Sequence, residues 1–172
     1  MKEVIAAVVL LAKAIQDEVD ANVLPPAAGA TSETDKIVYF SLVKGTRGYI
    51  EQIVHQINGT YASGWYDACA VMIRRLVETL IIETFEAHQV SQKIQNGQGD
   101  FLYLGDLIPL CVSEAAWNMG RNAKKALPKL KDIGDKSAHS RRFVAQRQDV
   151  DAIATELRVV VQELLFLSKL KV

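Results

Sequence analysis

The sequence has few of the residues that interrupt helices. It contains only four prolines and ten glycines in 172 residues. Because these two residues are the commonest helix breakers, their scarcity favours helices over many short strands. A chain of this length with 49% hydrophobic residues can bury one sizeable core. The sequence therefore predicts an all-α protein, folded as a single-domain helical bundle.

Long hydrophobic runs are also missing. The apolar stretch from Val4 to Ala12 is far short of the roughly 20 residues that span a bilayer. Lys2 and Lys13 flank it much as charges flank a signal peptide, but acidic residues follow it rather than a small-residue cleavage site. We therefore expect a cytoplasmic protein without a membrane segment.

Signals for metals and cofactors are few. Cys69 and Cys111 lie far apart, and neither has a histidine at metal-ligand spacing. We expect buried, reduced thiols, with a disulfide or a reactive thiol as the alternatives. His55 and His88 stand alone, and the sequence has no phosphate-binding Gly-Lys-Ser/Thr loop and no dinucleotide fingerprint. These observations predict no cofactor and no metal.

Apolar periodicity predicts five to seven helices. The first helix is expected from Lys2 to about Asn22, followed by a loop rich in proline and hydroxyl residues from Leu24 to Asp35. The apolar segment from Ile37 to Val43 is ambiguous between strand and helix. Residues 1–45 are thus predicted to be a helix and loop that pack on a bundle formed by residues 46–172.

Within that bundle, local signals suggest helix ends. Thr46 is expected to cap a helix that stops at Asn58-Gly59. A short helix from Phe101 to Cys111 is expected to be interrupted near Pro109, and Pro128 suits the first turn of a later helix. That helix should carry three apolar residues on one side: Leu130, Ile133 and Ala138.

The last helix shows the clearest pattern. Asp149 or Asp151 is expected to start it. Its apolar stripe consists of Val150, Ile153, Leu157, Val160, Val161, Leu164 and Leu167.

The segment from Gly64 to about Ala87 predicts a central helix that is apolar on nearly every side. Its Asp67, Arg74 and Glu78 share one narrow stripe, at positions i, i+7 and i+11. Arg74 and Glu78 are one turn apart, so we predict a structural ion pair between them. The alternative is a stripe that faces a polar cleft or a partner subunit.

The charge of the chain is unevenly distributed, although its net charge is zero. The segment from Arg121 to Arg147 holds nine basic and two acidic residues, which gives it a charge of +7 and leaves −7 on the rest. Such a segment predicts a basic surface that faces phosphates. A solvated helix face is the alternative.

Acidic and basic residues in this segment surround a histidine. On a helix, Asp132, Asp135 and His139 share one face, with Lys136 beside them. A carboxylate one turn before a histidine can orient the imidazole, and adjacent cations can hold a phosphate. The alternative is a histidine favoured at a helix C-terminus by the helix dipole.

The run Gly-Asp-Lys-Ser-Ala-His from Gly134 to His139 follows a helix that reads YDACAVMIRRLVE from Tyr66 to Glu78. This ordered pair of motifs, with a long helix after it, resembles the prokaryotic HEPN superfamily, particularly its HEPN-like domains of unknown function. The resemblance spans roughly Arg47 to Lys169. It implies a helical bundle that forms a homodimer, in which two motifs meet in one cleft.

In HEPN ribonucleases, an arginine followed by a polar residue precedes the motif histidine. By this resemblance His139 and Asp135 are the candidate catalytic residues, but Gly134 stands where the arginine is expected. The candidate residues for binding phosphate or a partner are Lys131, Lys136, Arg141 and Arg142.

Three functions follow from these observations. The preferred one is a non-catalytic, dimeric HEPN-like module that binds a nucleic acid or a protein partner, in a prokaryotic defence or toxin–antitoxin setting. The second is a metal-independent endoribonuclease that uses His139. The third is a structural or regulatory subunit without nucleic-acid contact.

Overall fold

The structure, a computed structural model, describes residues 36–171. In this part of the chain there are six α-helices and one 3-10 turn, and no β-strand. The helices are α1 (Phe40–Val43), α2 (Gly48–Ala62), α3 (Tyr66–Ala87), α4 (Leu104–Ser113), α5 (Arg121–His139) and α6 (Arg147–Leu167), with the 3-10 turn at Ser91–Ile94. The predicted all-α bundle is confirmed for these residues. The predicted helix from Lys2 to about Asn22 and the loop up to Asp35 lie outside them.

Helix α3 packs against α2, α4, α5 and α6. Its buried positions include Ile73, Leu76, Val77 and Leu80. Helix α6 supplies a second long apolar stripe, and its seven predicted positions are all buried. A capping box between Gln146 and Asp149 starts α6, close to the predicted start.

None of the helices described is long and apolar enough to cross a membrane. The ambiguous segment before α2 resolves into a buried Ile37 and Val38 followed by the single turn of α1. Thr46 does not cap α2, because its hydroxyl donates a hydrogen bond to the carbonyl of Val43 and Arg47 occupies the capping position.

The predicted stop at Asn58-Gly59 is wrong, because α2 continues to Ala62. The side chain of Asn58 is buried and binds a neighbouring segment instead of ending its own helix. Its Oδ1 accepts hydrogen bonds from the backbone N–H groups of Ile37 and Val38, both at 3.2 Å. Its Nδ2 donates to the carbonyl of Val38 at 2.8 Å. Both polar atoms of the buried amide thereby have hydrogen-bond partners in the segment before α1.

Both helix prolines lie deeper in their helices than predicted. Helix α4 runs through Pro109 to Ser113, and α5 begins at Arg121, which leaves Pro128 in its interior rather than in its first turn. A proline removes one backbone donor from a helix. Both prolines are on the exposed side, so the carbonyl that loses its partner can be hydrated by solvent.

The apolar side of α5 also differs from its prediction in one residue. Leu130 and Ile133 are buried, but Ala138 is exposed. Separations of eight and five residues rotate Ala138 by about 80° and 140° from these two positions around the helix. Ala138 therefore lies beyond the edge of the packed face.

Helices α3 and α5 approach each other closely at Gly134, which is buried. A Cβ built at this position would lie 2.6 Å from the Cβ of Arg74 and 3.1 Å from the carbonyl oxygen of Ala70. The first distance is well inside van der Waals contact, and the second involves backbone that has little freedom to move. The packing of the two helices therefore requires a glycine at position 134.

We expect Gly134→Ala to lower the free energy of unfolding by about 1–3 kcal/mol, because the added methyl overpacks the contact with α3. This outcome opposes helix propensity, since alanine favours a helix over glycine by about 1 kcal/mol. Gly59→Ala is the control, because a Cβ at that position of α2 meets no atom within 4 Å. Urea denaturation of the two variants measures the difference. A Gly134→Ala variant as stable as Gly59→Ala would contradict the close packing.

Candidate functional site

The side chain of Arg74 reaches from α3 to the motif on α5. Its Nε donates to Oδ1 of Asp135 at 2.7 Å. Its Nη1 lies 3.4 Å from Oε2 of Glu78 on the same helix, where the sequence predicts an ion pair. Nζ of Lys131 donates to the other carboxylate oxygen of Asp135 at 2.5 Å. Two cations and two carboxylates thus form one network across the α3–α5 contact.

This network is only partly withdrawn from solvent. The side chains of Arg74 and Asp135 are 25% and 29% exposed. A would-be Cβ at Gly105 of α4 lies 3.3 Å from Cε of Lys131, so the lysine stem passes over that helix. Ion pairs at this depth contribute more than surface pairs, because their geometry is fixed and solvent screens them less.

Both partners act on the pKa of Asp135. Desolvation by the surrounding helices raises this pKa, but the hydrogen bonds from Lys131 and Arg74 outweigh it. The net result is a pKa below the usual value for an aspartate. Asp135 is therefore a charged structural acceptor at neutral pH and is not suited to donate or take up protons there.

His139 lies one turn after Asp135 and is exposed. The structure does not pair the two predicted catalytic side chains, because the two carboxylate oxygens of Asp135 accept hydrogen bonds from Arg74 and Lys131. Within residues 36–171, no hydrogen bond or ion pair orients the imidazole of His139. The carboxylate that spacing alone assigns to the histidine instead ties α5 to α3.

The four predicted binding residues fall into two groups. Lys131 and Lys136 are both paired along α5, the latter with Asp132 at 2.7 Å. Arg141 and Arg142 follow the end of α5, are exposed, and form no ion pair with any described residue. The unpaired arginines are thus the cations best placed to meet an anionic partner.

The loop that carries these arginines is held by two side chains. Oγ of Ser140 accepts from the backbone N–H groups of Arg142 and Phe143, at 3.4 and 3.2 Å. Oδ1 of Asp67 accepts from the backbone N–H of Ala145 at 2.9 Å. Asp67 shares a stripe of α3 with Arg74 and Glu78, and from there it anchors the loop. Nothing in the sequence signals this bond, since its partners are 78 residues apart.

The remaining candidates for chemistry are inert or absent in the part described. Cys69 and Cys111 are free and buried, as predicted. Burial raises the pKa of each thiol to about 12, which leaves them protonated and unreactive at neutral pH. Among residues 36–171, no group of three or more histidine, cysteine, aspartate or glutamate side chains is placed to hold a metal ion.

The lowered pKa of Asp135 predicts how stability depends on pH. An aspartate with a lowered pKa stabilises the fold at pH values above its unfolded pKa of about 3.9. This contribution is lost as the pH falls through the lower pKa of the folded state. We therefore expect wild type to be more stable than Asp135→Asn at pH 7, with the difference shrinking below about pH 4.

Thermal unfolding from pH 7 to pH 2 measures this difference. Asp132→Asn is the matched control on the same helix, because its side chain is 61% exposed and, among the described residues, pairs only with Lys136. Such surface pairs contribute about 0–1 kcal/mol. Equal losses in the two variants at pH 7 would contradict the special role of Asp135.

Comparisons of the chain with protein-family models, with curated proteins and with solved structures found no significant match. The resemblance to HEPN domains therefore rests on the residues of the two motifs.

Proposed function

We propose that the chain is a non-catalytic HEPN-like helical module that binds nucleic acid through a basic surface on α5 and the loop after it. One observation carries the proposal. Asp135 is engaged by Arg74 and Lys131, whereas His139, Arg141 and Arg142 are exposed and unpaired within the part described. The carboxylate of Asp135 thus stabilises the contact between α3 and α5, while Arg141 and Arg142 can bind a partner.

The packing at Gly134 argues against catalysis of the HEPN ribonuclease type. The position where that type has an arginine cannot accept even a Cβ, because it would lie 2.6 Å from the Cβ of Arg74. The close contact between α3 and α5 thus excludes an arginine at position 134. A histidine without a fixed cation or an orienting carboxylate stabilises the charge that develops on a phosphate poorly.

The exposed side of α5 supports binding to phosphates. Residues three, four or seven apart share a helix face, and this face is outward at Arg121, Lys125, Lys129, Lys136 and His139. Lys129 pairs with Glu156 and Lys136 with Asp132, but Arg121 and Lys125 have no ion pair with a described residue. Together with Arg141 and Arg142 they present unpaired positive charge before and after the motif.

Homodimerisation is part of the same proposal, but through a surface far from the motif. Such a dimer differs from the shared cleft that the HEPN resemblance implies, because Phe166 lies 19 residues after Arg147, roughly 28 Å along α6 from the motif end. The end of α6 exposes Phe166, whose residue surface is 67% accessible. Phe166 borders two shallow cavities of about 350 and 260 Å³. Leu42 and Leu165 line the first and Leu167 the second, and Lys171 lines both. An exposed aromatic side chain beside apolar cavities is typical of a protein interface.

We expect sedimentation equilibrium at micromolar concentration to show a dimer of wild type, and Phe166→Ser to shift it towards monomer. Tyr103→Ser is the control, because Tyr103 is 80% exposed but borders neither cavity. A wild-type chain that remains monomeric would refute the dimer. A dimer that Phe166→Ser leaves unchanged would refute this surface as its interface.

Salt dependence tests the binding proposal. Affinity for RNA should fall steeply between 50 and 200 mM salt, because each phosphate contact releases counterions. Replacing Arg141 and Arg142 by alanine should weaken binding and reduce the slope of log K against log salt by about 1 per lost contact. The control removes Lys44 and Lys93, two exposed lysines that line neither cavity. They lie near the end of α3 opposite Asp67, roughly 30 Å along that helix.

A cleavage assay in excess EDTA separates the proposal from a ribonuclease. We expect wild type to bind RNA without cutting it, and His139→Ala to change affinity only slightly. Metal-independent cleavage that is lost in His139→Ala would establish the ribonuclease and overturn the proposal. If no RNA or DNA binds at low salt, the proposal fails, and the structural or regulatory subunit without nucleic-acid contact is favoured.

A further inference from the structure

Trp65 lies at the same end of the bundle as the loop with Arg141 and Arg142. It directly precedes α3, and Asp67 in the first turn of that helix holds Ala145 of the loop. Arg142 is three residues from Ala145, a span of at most roughly 10 Å in an extended chain. The hydrogen bond from the backbone N–H of Ala145 to the side chain of Asp67 therefore places Trp65 and the two unpaired arginines at the same end of the bundle, within roughly 20 Å along the connecting chain.

The indole of Trp65 is exposed in a way that its packing does not explain. The residue is 66% accessible, and none of the described aromatic contacts involves its ring. Trp117 shows the usual arrangement, since its ring contacts Phe85 and His88 and its Nε1 donates to the carbonyl of Cys111. Trp65 therefore offers a free aromatic face to solvent.

The arginine loop is held in place before any ligand binds. Ser140 fixes its start, Asp67 holds Ala145, and the capping box at Gln146 fixes its end. Ala145 is buried, whereas Arg141, Arg142 and Val144 face outward. A loop that is ordered in advance loses less entropy on binding, so its arginines can contact phosphates at lower cost.

Two tyrosines and a polar cavity also lie at this end of the bundle. Tyr66 contacts the ring of Tyr61 edge to face at 5.7 Å between centroids. The hydroxyl of Tyr61 donates to Asp151 and accepts from Nε of Arg147 at 3.1 Å. Arg147 and Asp151 line a shallow cavity of about 410 Å³, together with Gln146 and Gln148. This end of the bundle thus combines a free aromatic face, cations and hydrogen-bonding side chains.

We propose that this end of the bundle binds single-stranded nucleic acid, with a base stacked on Trp65 and phosphates contacted by Arg141 and Arg142. The inference rests on the proposed function and names the class of nucleic acid. Stacking on a side chain requires an unpaired base, which a duplex does not offer. Base–aromatic stacking combined with a basic track is the usual means of holding a single strand.

Fluorescence anisotropy with a labelled 15-nucleotide oligo(U), and with a duplex of equal length, tests the inference. We expect wild type to prefer the single strand. Trp65→Ala should weaken binding of oligo(U) by roughly tenfold to hundredfold, the effect of losing one stacked base. Trp65→Phe should restore part of this loss. Binding should also quench the fluorescence of Trp65. Trp65→Phe removes this quenching, and the fluorescence of Trp117 remains.

Tyr103→Ala is the matched control, because it removes an exposed aromatic side chain that precedes α4. It should leave the affinity for oligo(U) unchanged, and thermal unfolding of all variants shows that they are folded. An equal loss in Trp65→Ala and Tyr103→Ala, equal affinity for the duplex, or no effect of Trp65→Ala would each overturn the inference. These outcomes leave the proposed function intact, whereas wild type that binds neither nucleic acid overturns both.

Discussion

At Gly134 the backbone of α5 lies against the side chain of Arg74, and no Cβ fits between them. The same contact brings the guanidinium of Arg74 to Asp135, and Lys131 completes the ion pairs from the other side. A larger residue at position 134 would separate the helices and break this network. Gly134 and Arg74 are thus physically coupled, and related chains should change these two residues together rather than singly.

The charges of the basic segment serve two purposes. Lys131 of this segment is neutralised, together with Arg74 of α3, where α3 meets α5, so the two contribute little to the potential outside the molecule. Arg141 and Arg142 have no such partners among the described residues, and the loop that bears them is tied to α3 through Asp67. The carboxylates of Asp135 and Asp67 thus hold α5 and the loop in place. Arg141 and Arg142 remain available to an anionic partner.

The sequence predicted the long helices well, because their signals are repeated over many residues. The stripe of α6 and the extent of α3 each depend on several turns that agree with one another. Single-residue signals failed at Asn58 and Pro128. The buried hydrogen bonds of the Asn58 side chain outweighed the tendency of Asn-Gly to end a helix. The exposed side of α5 accommodates Pro128 in the helix interior, although proline favours the first turn. Periodicity also placed Asp135 and His139 on one face, but it could not reveal that Arg74, 61 residues away, takes the carboxylate.

The burial of Asn58 also affects how the protein ages chemically. An asparagine followed by glycine is prone to deamidation in a flexible chain, where the next backbone nitrogen can attack the side-chain amide. In α2 the backbone of Gly59 is helical, and three hydrogen bonds hold the amide of Asn58. Conversion to aspartate would set a carboxylate oxygen against the carbonyl of Val38, where the amide now donates. The folded state thus protects this site, and damage there should accumulate mainly in chains that have unfolded.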